Sequence, residues 1–213
     1  IGKNLALESP PPKKEDDRKR VVVINVPDSS NTATLGYFSE AAKHNSDIKN
    51  EIGLIRSHYV GRTFIQPGQD KREMKVRTKF NIVKGVLSDR KVVMIDDSIV
   101  RGTTSKLLVD LLKKASPKEI HLKITSPPII SPCYYGMDFP SKQELIAARK
   151  DKNLEEIKEW LGVDSIAYLS EEKLLESATN TRPETGFCTA CFSGNYPIQI
   201  EGIDEIPKNG FDD

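Results

Sequence analysis

Two adjacent acids, Asp96 and Asp97, close an apolar run, and a hydroxyl-rich turn with one glycine follows them in the string VVMIDDSIVRGTTS, Val92 to Ser105. A run of this kind suits a parallel strand covered on both faces, and its carboxyl end is where open α/β sheets bind ligands. Arg101-Gly102-Thr103-Thr104-Ser105 then offers backbone N–H groups, hydroxyls and a helix N-terminus, which together suit a phosphate. The implied ligand is a sugar phosphate held above two carboxylates. A capped helix after a strand with incidental acids is the bland alternative, and the strand, turn and helix context argues against it.

The elements around this string must hold it in place. Val21 to Val26 reads as a first core strand, and Pro27-Asp28-Ser29-Ser30 as a turn in which Ser29 or Ser30 caps the next helix. That helix, about Thr32 to Lys43, places Leu35, Phe38 and Ala42 on one face. A short strand is expected over Glu51 to Ile55 and a helix over Met74 to Val83. Between them, Arg56 to Glu73 is too long for a simple connection and reads as a lid or a disordered segment. Lys91 to Ile95 is the second strong strand, followed by a helix from about Thr103 to Lys114 with Leu107, Leu108, Leu111 and Leu112 inward. Further strands are expected at Ile120 to Ile124 and Ser165 to Leu169. Further helices are expected at Ser141 to Arg149, Leu154 to Leu161 and Glu171 to Ala178, with Leu154, Ile157 and Leu161 sharing a face. Alternating strands and helices indicate an α/β fold with a mostly parallel sheet flanked by helices. Three parts are expected: an N-terminal helix and charged linker over 1–20, the main domain over 21–178, and an irregular extension over 179–213.

Bulk properties narrow the function classes. The 213 residues carry 32 basic and 31 acidic side chains, a formal net charge of +1, which gives no support to a general nucleic-acid or membrane-surface role. No apolar run approaches the roughly 20 residues needed to span a bilayer, and no signal peptide is visible. The first residue is Ile1, so a fragment or a processed chain is expected. The three cysteines, Cys133, Cys188 and Cys191, include one C-x-x-C pair. That pattern argues against a secreted disulfide framework and for a reducing compartment. Soft thiolates suit an iron–sulfur cluster or zinc, and buried, unligated thiols are the alternative. Zinc would need a further ligand such as His121, which nothing in the sequence places nearby.

Asp96 to Ser105, including Ser98, resembles the phosphoribosyl pyrophosphate (PRPP) motif of type I phosphoribosyltransferases. Five further segments narrow the likeness. His58-Tyr59-Val60-Gly61-Arg62-Thr63-Phe64-Ile65-Gln66-Pro67 resembles the flexible loop of the amidophosphoribosyltransferase family, and Val26 to Ser30 its pyrophosphate loop. Cys133 to Asp138, Glu144 to Ala147 and Cys188 to Pro197 resemble its later segments.

The resemblance implies a type I phosphoribosyltransferase fold and transfer of ammonia, released from glutamine, to PRPP. The products would be 5-phosphoribosylamine and pyrophosphate, at the opening of purine synthesis. It implies that Asp96 and Asp97 contact the ribose hydroxyls directly or through Mg²⁺, and that Arg101 to Ser105 hold the 5-phosphate. Carboxylates accept bonds from a diol, and Mg²⁺ prefers oxygen ligands. Ser30 matches a residue at the metal and pyrophosphate site, with Ser29 beside it. Tyr59, Arg62, Thr63 and Ile65 belong to the lid, with Arg62 able to pair with pyrophosphate oxygens and Tyr59 and Ile65 supplying apolar walls. Cys133, Cys188 and Cys191 match three of the four ligands to a [4Fe-4S] cluster found in a subset of the family, whose fourth ligand lies upstream of the region beginning at Ile1. Inhibition by purine nucleotides, a homotetramer and a cytoplasmic location are also implied.

The family's glutaminase domain, with its N-terminal catalytic cysteine, has no counterpart in these 213 residues. This polypeptide alone is therefore expected to use free ammonia at best. A nucleobase phosphoribosyltransferase and a non-catalytic PRPP or nucleotide sensor are the alternatives.

Overall fold

Strands β1 (Val21–Asn25) and β5 (Lys91–Asp96) are almost wholly apolar because both their faces are covered. Side chains alternate across a strand. Val22, Ile24, Val92 and Met94 therefore enter one core, and Val21, Val23, Val93 and Ile95 another. The computed structural model describes residues 1–13, 21–57, 79–139, 141–180 and 186–198. It shows a five-stranded sheet in the order β2-β1-β5-β6-β7, every neighbouring pair parallel. The other strands are β2 (Ile48–Asn50), β6 (Glu119–Ile124) and β7 (Ser165–Tyr168).

The connections decide where a ligand can sit. From β1 the chain passes through the helix Asn31–Ala41 to β2 on one side, and from β5 through the helix Thr103–Lys113 to β6 on the other. The first helix packs Tyr37 and Ala41 into one core and the second packs Leu108, Val109 and Leu112 into the opposite one. The two connections thus leave neighbouring strands in opposite directions, which opens a crevice between the carboxyl ends of β1 and β5.

Local pattern alone misplaces several side chains. On Asn31–Ala41 the buried residues are Thr34, Tyr37 and Ala41, whereas Leu35 is 58% exposed. The cause is the N-terminal helix Gly2–Glu8, which lies so close that a Cβ on Gly2 would stand 1.9 Å from the Ala33 carbonyl oxygen. Tyr37 donates its hydroxyl to the Ser9 carbonyl at 2.8 Å, and Leu5 and Ala6 join the same core. The segment expected as a prelude to the domain therefore covers one face of its sheet. Leu107 and Leu111 are only half-buried, and Leu154 is exposed.

Two further expectations are corrected. The strand expected over Glu51 to Ile55 begins only at Leu54, as β3 (Leu54–Arg56), because β2 ends at Asn50 and residues 51–53 connect the two. Gly53 lies between them, where a Cβ would stand 2.6 Å from Ile24 Cγ2. Within the segment expected as a helix up to Val83, Phe80–Ile82 is strand β4, paired antiparallel with β3. Cross-strand pairing with Leu54 to Arg56 supplies the backbone partners a helix would otherwise provide. The proposed lid residues Tyr59, Arg62, Thr63 and Ile65 lie outside the described residues, in the connection between these two strands.

Candidate functional site

The turn after β1 closes on itself. Its Pro27–Asp28 peptide is cis. The Ser30 hydroxyl accepts a hydrogen bond from the Val26 N–H at 2.9 Å and lies 2.8 Å from the carbonyls of both Val26 and Ile95, to which it can donate. Ser30 is fully buried, and its side chain makes no capping bond to the helix it precedes. The Ser30 hydroxyl, expected at a metal and pyrophosphate site, thus fastens the turn to β5. Ser29 instead reaches the crevice, donating its hydroxyl to Asp97 Oδ1 at 3.0 Å.

The two acids, equal in sequence, are unequal in place. Asp96 ends β5 and is 6% exposed, with Oδ1 accepting from the Asp97 N–H at 2.9 Å. Burial, reinforced by the neighbouring Asp97 carboxylate, pushes the Asp96 carboxyl up to about 8. Asp97 is exposed and offers its carboxylate to the crevice. The end of β6 supports both residues: the Thr125 N–H donates to the Asp96 carbonyl at 3.0 Å and its hydroxyl to the Asp97 carbonyl at 3.3 Å. Asp97 is thus placed to meet a ligand, while Asp96 lies behind it.

The turn after β5 stays open. Gly102 adopts φ +79° just before the helix Thr103–Lys113, and no side chain caps the first N–H groups of that helix. Thr104 is exposed, Thr103 half-buried and Ser105 buried. An uncapped eleven-residue helix N-terminus beside hydroxyls is suited to bind an anion. The residues bracing this turn come from later in the chain. Arg101 donates through Nε to Glu144 Oε1 at 2.9 Å, and the ion pair holds the Glu144 carboxyl below its ordinary range. The Ile146 N–H donates to the Val100 carbonyl at 2.9 Å. A Cβ on Gly102 would stand 2.7 Å from Trp160 Cζ3 and 2.8 Å from Ile146 Cδ1.

Nothing in the local sequence around Trp160 marks it beyond packing, and Glu144 stands out only as the first residue of the family-like segment Glu144 to Ala147. The Ser141-x-x-Glu144 pattern is, however, the signature of a capping box, and that box is formed at Lys142–Glu144. It opens a short 3-10 turn, and the extended Leu145 then interrupts the expected Ser141 to Arg149 helix, which resumes at Ile146–Arg149.

The cysteine segments lie together at another place. The N–H groups of Ile130 and Ser131 both donate to the Cys191 carbonyl, at 2.9 and 3.1 Å, and the Tyr196 hydroxyl donates to the Pro132 carbonyl at 2.7 Å. Burial pushes the Cys191 thiol up to about 11, with the nearby Cys133 and then Cys188 adding to the shift. Among the described residues no group of three or more His, Cys, Asp or Glu side chains is arranged to hold a metal ion. His121 is engaged within the sheet, between Glu119 and Ser165 at 2.9 and 2.8 Å, which removes it as a zinc ligand for these cysteines.

No protein-family model matches the chain. It is 50% identical over 211 residues to the chloroplastic amidophosphoribosyltransferase 1 of Arabidopsis thaliana, covering 99% of the chain and 34% of that protein. It is 48% identical over 202 residues to the amidophosphoribosyltransferase of Archaeoglobus fulgidus, covering 95% and 41%. Among solved structures it is similar to the glutamine PRPP amidotransferase of B. subtilis complexed with ADP and GMP, with 43% identity and a TM-score of 0.76, covering 95% of this chain and 43% of that one. The chain thus spans between a third and about two fifths of the curated relatives it matches.

Proposed function

Since this chain belongs, over the region it spans, to the amidophosphoribosyltransferase family, we propose that it forms the PRPP-binding and ammonia-accepting part of such an enzyme. The observation that carries the reading is the meeting of two strand–turn–helix units at one crevice, joined by the Ser29–Asp97 bond, with an uncapped helix N-terminus alongside. Asp97 accepts hydrogen bonds from the ribose hydroxyls, and Asp96 holds it in place through the backbone. Arg101 to Ser105 receive the 5-phosphate. Ammonia attacks C1, the bond from C1 to the pyrophosphate oxygen breaks, and a proton leaves the new ammonium to give 5-phosphoribosylamine. The chain's contribution is positioning and fixed dipoles, so no protein nucleophile is needed.

The donor set fits Mg²⁺ at Asp97 and Ser29 rather than at Ser30. Two oxygen donors suffice, because Mg²⁺ is commonly held by one or two carboxylates plus substrate phosphates. Bound there, it would neutralise the departing pyrophosphate. We extend the proposal to a [4Fe-4S] cluster on Cys133, Cys188 and Cys191, with a fourth ligand from outside this segment. Each thiolate of such a cluster binds a different iron, so the three sulfurs need not converge on one point. The cluster would tie the Cys188–Cys191 segment to the Ile130–Cys133 segment. Glutamine as the ammonia source through a separate glutaminase domain, a homotetramer and control by purine nucleotides complete the reading.

Assaying phosphoribosylamine formation with ammonia and with glutamine tests it. Turnover with ammonia alone is expected, and robust glutamine-dependent turnover by these 213 residues would overturn it. A visible absorption spectrum with an iron assay tests the cluster, since a [4Fe-4S] centre is coloured and zinc is not.

A further inference from the structure

We propose that Glu144 and Trp160 are positioning residues for the phosphate turn, Glu144 by orienting Arg101 and Trp160 by filling the space behind Gly102. The inference rests on the assignment of Arg101 to Ser105 to a ligand phosphate. Three contacts converge on the turn from outside its own strand–turn–helix unit. Glu144 takes Arg101 Nε at 2.9 Å, Ile146 donates its N–H to the Val100 carbonyl at 2.9 Å, and Trp160 with Ile146 occupies the place a Gly102 Cβ would need. Each acts on a different residue of Val100-Arg101-Gly102, so together they set both the path of the backbone and the aim of the side chain.

The ion pair is poorly explained as a stabilising contact. The side chains of Arg101 and Glu144 are 45% and 47% exposed, and exposed pairs contribute little to stability. A carboxylate beside an anion site also opposes binding by charge, so what it supplies is geometry. Glu144 engages the guanidinium through Nε, and among the described residues the Nη groups take no partner. Those two groups form the planar fork that matches phosphate oxygens. Glu144 is itself held: its Oε2 lies 3.3 Å from the Ser141 N–H and 3.2 Å from the Ser141 hydroxyl. A chain of fixed groups therefore runs from Ser141 to the fork. Behind the turn, Trp160 comes from the helix Leu154–Leu161, whose Ile157 and Leu161 are buried in the core.

Equilibrium binding of ribose 5-phosphate to the 213-residue chain, with inorganic pyrophosphate as a second probe, separates positioning from general damage. Glu144→Ala should weaken ribose 5-phosphate binding about 5- to 10-fold through lost preorganisation, leaving pyrophosphate affinity and the melting temperature unchanged. Glu144→Gln keeps an acceptor for Arg101 Nε and should recover most of the loss. Trp160→Leu should weaken ribose 5-phosphate in the same selective way. Under ammonia-dependent turnover, the KM for PRPP should rise in Glu144→Ala while kcat holds. Unchanged ribose 5-phosphate binding in Glu144→Ala and Trp160→Leu, or equal weakening of both probes with a fall in melting temperature, would overturn the proposal. If the parent chain binds ribose 5-phosphate but makes no phosphoribosylamine, the functional reading fails and the binding comparison still decides the positioning role. Absence of ribose 5-phosphate binding by the parent would overturn both.

Discussion

The turns after β1 and β5 share one local design, a parallel strand, a tight turn and an eleven-residue helix, on neighbouring strands of one sheet. They are held in opposite ways. The first is fastened from within, by a buried serine hydroxyl bonded to its own backbone and to Ile95. Neither helix start carries a side-chain cap, but the second turn has no such internal hydroxyl and takes its support from Glu144, Ile146 and Trp160, distant in sequence. A turn that seals its own polar groups is stable but has fewer to offer a ligand. A turn without an internal fastening keeps its hydroxyls and N–H groups available to an anion, and something outside must keep it in shape. The crevice combines one of each, a fixed wall and an open one.

The comparison can be broken most sharply at the open wall. Asp97→Asn should lower ammonia-dependent phosphoribosylamine formation by about 10² to 10³-fold, the scale for losing one preorganised electrostatic contact. Its melting temperature should barely move, because Asp97 is exposed. Ser30→Ala should do the reverse in kind, costing about 1–3 kcal/mol by removing a buried hydroxyl that three backbone groups contact. For a chain of this size that is a fall in melting temperature of about 2–4 °C per kcal/mol. Ser29→Ala should leave stability within about 0.5 kcal/mol. Equal destabilisation by the two serine variants would erase the distinction drawn between them.

Gly102→Ala comes next. A left-handed φ costs an L-residue roughly 1–2 kcal/mol, and crowding by Trp160 adds to it. Repeating the substitution in a Trp160→Leu background should recover the crowding part alone, so denaturant titration of the four chains separates external bracing from intrinsic turn strain. The smallest effect calibrates buried polar groups away from both turns. Burial lowers the Lys123 ammonium to about 8, where its Nζ donates to the Ser9 hydroxyl at 2.6 Å. From about pH 8 to 10.5 the unfolded chain then binds more protons at this group than the folded chain, so stability rises with pH across that window. The slope stays below the roughly 1.4 kcal/mol per pH unit of one full proton, and Lys123→Met should abolish that part of it.

Much of this arrangement was legible beforehand. Apolar runs mark β1 and β5, the alternation of Ile120, Leu122 and Ile124 marks β6, and the order of strands and helices marks the parallel sheet. The string from Asp96 to Ser105 marked the turn that the structure places at the crevice. What escaped reading depended on neighbours far along the chain. Leu35 was expected inside, but the helix Gly2–Glu8 covers Tyr37 and leaves Leu35 in solvent. Family likeness favours Ser30 over Ser29, and the two hydroxyls, chemically alike, give no local sign of which way each one turns. Only the direction of the chain past Ile95 turns one inward and leaves the other facing Asp97. Trp160 sits one turn of helix from Ile157 and looks like ordinary packing until Gly102 is found against its ring.

By itself, the sequence determined which chemistry this protein carries: two carboxylates ending a buried strand, a hydroxyl-rich turn opening a helix, and three thiols. Residue type and short-range periodicity are local, and a strand end or helix start is set within a few residues. Tertiary structure alone decided which acid is exposed, which serine meets it and what holds the phosphate turn. Those outcomes depend on desolvation and on contacts between segments separated by tens of residues, where no local pattern carries the information.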